Sequence, residues 1–132
     1  MYSFQGPPQG DGSNPIAGLI NVNGTLYGTT EFGGQGNCNN GLGCGTVFAI
    51  TTTGTESVLH SFLPGSNGAE NPAARLLAVN GTLYGTTEFG GSGNCAGGCG
   101  TVFSITPSGT YAVLHSFGAG TDGATLVTLA SF

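Results

Sequence analysis

Charge is what this chain has least of. Only 5% of its 132 residues are charged, where an average soluble domain carries roughly 25%. Lysine is absent, Arg75 is the one cation, and the acids are Asp11, Glu31, Glu56, Glu70, Glu88 and Asp122, for a net charge of −5. Nothing here neutralises a run of phosphates, which excludes nucleic acid as a partner. The same balance argues against an anionic membrane surface. No stretch reaches the ~18 apolar residues of a membrane helix, so no membrane span is expected. No basic region followed by an apolar run reads as a signal peptide; the expectation is a leader already removed, or export by another route. A helical period is missing too. With so few ionisable groups, no nucleophile, base and orienting group can be assembled, and no enzyme is expected.

Glycine and short apolar runs fill the space. The chain has 27 Gly, and 38% of it is hydrophobic. Disorder pairs low hydrophobicity with high charge, so this composition favours a folded β protein. Its solubility must come from Thr, Ser, Asn and Gly. Such a surface repels copies of itself poorly, so self-association is expected.

The chain also repeats. Residues 14–38 read NPIAGLINVNGTLYGTTEFGGQGNC, and residues 71–95 read NPAARLLAVNGTLYGTTEFGGSGNC. Roughly four in five positions are identical, and the period is about 55 to 57 residues. A second block follows in each copy, GCGTVFAITTTGTESVLHSF to Phe62 and GCGTVFSITPSGTYAVLHSF to Phe117. Tyr2-Ser3-Phe4 matches the end of that block, and Asp122-Gly123 echoes Asp11-Gly12. The reading is one repeat domain over 1–132, with repeat 1 at 5–62, repeat 2 at 63–117, and a partial third repeat or donated strand at 118–132.

Each copy holds four β-like runs, in the first Ile16 to Val22, Thr25 to Thr30, Thr46 to Thr51 and Glu56 to Phe62. Asn23-Gly24 and Asn80-Gly81 between apolar runs are hairpin signals, since both central residues of a type I′ turn need φ > 0. Gly54 and Gly109 mark a second tight turn. The fold class is therefore all-β: two tandem four-stranded antiparallel meanders, like propeller blades. The motifs LYGTT, GTVF, LHSF and Asp-Gly before Asn-Pro resemble the GloVer-type bacterial tandem repeats. That resemblance implies secreted or surface-anchored proteins of repetitive β architecture, with no established chemistry to carry over.

Two blades cannot close a ring, which takes about four or more. A repeat cannot bury its apolar face alone, so incomplete ends should be completed by other chains. A contact between unlike ends makes a closed ring or a filament. The expected assembly edges are Tyr2 and Phe4 at one end and Leu126, Val127, Leu129 and Phe132 at the other, the latter also a strand to donate.

The remaining motifs divide between structure and binding. Cys38 and Cys44 share one loop, and Cys95 and Cys99 the equivalent loop, which reads as one local disulfide per repeat and an oxidising compartment. A four-cysteine zinc site would want other spacings, and free thiols are the remaining alternative. His60 and His115 cannot pair with Ser61 and Ser116, because adjacent strand residues point to opposite faces; they read as packing residues. Tyr27, Glu31 and Phe32, with Tyr84, Glu88 and Phe89, could form one sugar-binding site per blade of a multivalent lectin. Asp11 to Asn14 and Asn67 to Asn71 offer oxygen ligands; calcium is the one cofactor they would admit, and turn chemistry explains them as well. Asn23 and Asn80 open glycosylation sequons that the hairpin turns already explain. The function read from this is an extracellular or cell-surface structural or adhesive protein that self-assembles head-to-tail. The alternative is a glycan-binding module.

Overall fold

The computed structural model describes residues 2–65 and 68–118. Its strands are β1 (Gly12–Ser13), β2 (Ile20–Val22), β3 (Thr25–Thr30), β4 (Phe32–Gly33), β5 (Thr46–Thr51) and β6 (Glu56–Ser61), then β7 (Ala69–Glu70), β8 (Leu77–Val79), β9 (Thr82–Thr87), β10 (Phe89–Gly90), β11 (Thr101–Ile105) and β12 (Tyr111–Ser116). The protein is all-β. Strands β2-β3-β5-β6 form one four-stranded antiparallel sheet and β8-β9-β11-β12 a second. These are the two expected meanders, one per repeat.

The turns follow from residue type. Asn23 and Gly24 have φ of 52° and 87°, and Asn80 and Gly81 have 50° and 81°, as a type I′ hairpin requires. The Asn21 carboxamide accepts from Gly24 N at 2.9 Å and braces the first turn. Between β5 and β6, Gly54 N donates to Thr51 O, and Gly109 N donates to Thr106 O between β11 and β12, each at 2.9 Å.

The first run is shorter than its sequence predicts, starting at Ile20 rather than Ile16. Asn14 has φ 63° and its carbonyl accepts from Glu31 N at 3.1 Å. Pro15 then offers no N–H to a ladder. The chain crosses the sheet face instead, and Leu19 settles beside Gly28 and the Phe48 ring. Asn71 repeats this conformation at φ 58°, with Glu88 N on its carbonyl.

A short ribbon lies beside each sheet. Strand β1 pairs with β4, and β7 with β10. The ribbons are tied to the sheets by buried threonines. Thr30 and Thr46 hydroxyls meet at 2.7 Å, Thr87 and Thr101 at 2.8 Å. Thr30 and Thr87 also donate to the carbonyls of Phe32 and Phe89. Burying a hydroxyl without a partner costs a few kcal/mol, so these pairs fix which rotamers the buried threonines can take.

Across the central strands, Gly28 is registered opposite Phe48 and Gly85 opposite Phe103. The ring lies over the bare backbone, an arrangement in which an aromatic covers a glycine. A Cβ on Gly85 would strike the Phe103 ring and Leu76. Gly85→Ala is therefore expected to destabilise the chain by ~1–3 kcal/mol through overpacking, measured by urea unfolding.

Candidate assembly interface

Strand alternation gives each sheet two unlike faces. The leading face of sheet 2 carries Leu83, Gly85, Phe103 and Ile105, and the trailing face of sheet 1 carries Tyr27, Thr29, Val47 and Ala49. Tyr27, Val47, Ala49, Leu83, Phe103 and Ile105 meet in one buried cluster that includes Phe62 and Leu76. Sheet 1 thus lies with its back on the front of sheet 2. Fully burying a side chain such as Phe62, Leu83 or Ile105 contributes roughly 1.5–3 kcal/mol, so this junction carries most of the apolar core.

Polar contacts set its register. Asn71 N donates to Cys44 O at 2.8 Å, and Asn39 Nδ2 donates to Asn71 Oδ1 at 3.1 Å. Thr29 Oγ1 donates to Ala74 O at 3.4 Å, and Arg75 Nε to Leu19 O at 3.2 Å. The disulfides Cys38–Cys44 and Cys95–Cys99 are formed as expected from their shared loops. Both sulfurs of the first lie in the junction cluster.

Aromatic rings close one side. A bulge between Val47 and Phe48 takes Leu59 out of the β5 ladder. Past it, His60 stacks on Tyr111 at 3.8 Å and 13°. Phe62 sets its edge to Phe103 at 5.2 Å. His60 is thus a packing residue, while the hydroxyl of Ser61 lies near Gly34. Burial lowers the His60 pKa and pushes the Tyr111 hydroxyl up to about 12.

The start of the chain reproduces this corner one repeat earlier. Phe4 sets its edge to Phe48 at 4.9 Å, as Phe62 does to Phe103. Tyr2 packs on Phe4 at 5.2 Å and 86°, His60 on Phe62 at 4.9 Å and 83°, and His115 on Phe117 at 4.7 Å and 80°. The Tyr2 hydroxyl donates to Asp11 Oδ2 at 2.7 Å, which holds its pKa above the phenol range, with burial adding to the shift. Burial, then the Asp11 charge, raises the pKa of nearby Glu56. Tyr2 and Phe4, read from the sequence as assembly-edge residues, form no strand and pack on a sheet face. Leu126, Val127, Leu129 and Phe132 lie outside the described residues.

A family model, the Gloeobacter/Verrucomicrobia repeat, matches residues 1–130. The chain belongs to that family. No curated protein matches it, and no solved structure does. Membership in the Gloeobacter/Verrucomicrobia repeat family agrees with the internal repeat and with the all-β fold.

The other sequence candidates fall apart in space. Tyr27 is 7% exposed, its ring enclosed in the junction, and Tyr84, its counterpart, is half-buried. Glu31 and Phe32 are half-buried, as are Glu88 and Phe89, and Glu31 Oε2 accepts from Asn14 Nδ2 at 2.7 Å. Tyr27 therefore offers no open ring for a sugar beside Glu31 and Phe32. Asp11 accepts from the Tyr2 hydroxyl, Gln5 N and Gly12 N, donors that engage oxygens a calcium ion would use. Asn23 and Asn80 are exposed at their turns. Among the described residues no group of three or more His, Cys, Asp or Glu is placed to hold a metal. Sequence reasoning missed Thr29 and Leu76, whose only signal was that both copies repeat them, and it took Asn71 for a turn or calcium-loop residue where the structure makes it a junction contact.

Two measurements follow from this junction. Replacing Cys38 and Cys44 together by Ala should lower the urea-unfolding free energy by about 2 kcal/mol on the chain-entropy model. The pH dependence should have two opposed parts. The folded His60 pKa lies below 6.5, so its share of stability is whole above pH 6.5 and is lost as pH falls towards the folded value. The folded Glu56 pKa lies above 4.5, so its share is whole below pH 4.5 and is lost as pH rises through the folded value. In melting curves, His60→Phe should remove the first slope and Glu56→Gln the second.

Proposed function

We propose that the chain is an exported structural or adhesive repeat protein that self-assembles head-to-tail. The observation that carries this is the back-to-front stacking of its two sheets. Faces that stack back to front are unlike, and unlike faces that fit each other extend without limit or close into a ring. Membership in the repeat family and the all-β fold support a non-enzymatic role. Two disulfides in one short chain support an oxidising, extracellular setting. Among the described residues no helix is long and apolar enough to cross a membrane. A glycan-binding module, with one site per blade, has less behind it, since the Tyr27 ring is enclosed.

Light scattering over a wide concentration range tests assembly, with electron microscopy of the same samples. The expected result is a mass that rises with concentration, with rings or filaments on the grid. A single monomer mass throughout would overturn the reading.

A further inference from the structure

The two repeats share most of their sequence but not their environment. Leu76 is 3% exposed under sheet 1, while its counterpart Leu19 is 43% exposed. Ile105 and Leu83 are buried, and their counterparts Ile50 and Leu26 are half-buried. Pro72 is buried and Pro15 exposed. These open residues, with Ala17 and Phe48, line a groove of about 550 Å³ on the leading face of sheet 1. Tyr2 and Phe4 also line it, in the place that His60 and Phe62 take on sheet 2.

The trailing face of sheet 2 shows the converse. Tyr27 and Val47 are buried in the junction, and their counterparts Tyr84 and Val102 are half-exposed. Leu59 packs against the core, and its counterpart Leu114 is 55% exposed.

We propose that the leading face of sheet 1 is the acceptor for the trailing face of a second copy of the chain, in the register by which sheet 1 sits on sheet 2. This rests on the head-to-tail reading above and specifies its contact. Phe117 of the incoming copy takes the place of Phe4 over Phe48. His115 of the incoming copy takes the place of Tyr2. The contact continues an interface that the chain already makes with itself. Tyr2-Ser3-Phe4 is then a strap, a stand-in for His-Ser-Phe that the incoming copy displaces.

Two half-blocked variants test the register. Leu19→Asp spoils the acceptor face and leaves the trailing face intact; Leu114→Asp does the reverse. In light scattering the native chain should grow with concentration, and each variant alone should stay a monomer. An equimolar mixture should stop at a dimer, because one good face remains on each partner. Ala17→Asp, at a residue that lines the same groove, replaces Leu19→Asp if that variant loses the native far-UV circular dichroism. Native assembly with no dimer from the folded mixture overturns the register and leaves self-assembly standing. A native chain that stays monomeric overturns both. Adding Phe4→Ser to the Leu114→Asp partner should tighten the dimer several-fold, and a weaker dimer would overturn displacement of the strap.

Discussion

One sheet lying back-to-front on the next is the contact on which the other features depend. It is made where Phe62 of repeat 1 meets Phe103 of repeat 2, and Phe103 can lie there only because Gly85 beneath it has no Cβ. Around that pair the junction gathers the largest buried side chains, a disulfide and an aromatic stack. Charge takes almost no part. A chain with 5% charged residues has little else with which to hold two sheets together, so shape and apolar area do the work.

The junction also explains why the repeat is so nearly invariant in some places and free in others. Positions 83, 85, 103 and 105 must fit under the preceding sheet, and positions 26, 28, 48 and 50 hold the same residues although less covers them. Where contacts differ, so do residues. Asp11 and Glu56 flank Tyr2 at one corner; the equivalent sequence positions hold Gly68 and Tyr111, and Tyr111 stacks on His60. One corner is held by hydrogen bonds and carboxylates, the other by ring stacking.

Much of this was legible from residues alone. The Asn-Gly turns demanded positive φ, and the period-2 runs between them could bury one face only as strands, so the meanders and their order followed. The cysteines shared one loop in each copy, which favoured a local disulfide over a zinc site or free thiols, and the disulfides are formed. The inner ribbons β1–β4 and β7–β10 were not legible, because two-residue strands leave no period to read. Nor was the late start of β2, which depends on Asn14 adopting a left-handed backbone to hold Glu31 N. Tyr27 looked like a ring available to a ligand because alternation tells which residues share a face, not which face is covered.

That distinction divides the protein as a whole. By itself the sequence determined local form, because turn chemistry, strand alternation and loop disulfides are set by neighbours along the chain. It also determined that the form occurs twice. Only the tertiary structure decided how the copies stack and which face each presents. That choice rests on contacts between residues some 40 to 60 positions apart, such as Phe62 with Phe103 and Leu19 with Arg75. Packing complementarity across such distances is a property of shapes in space, and no local pattern encodes it.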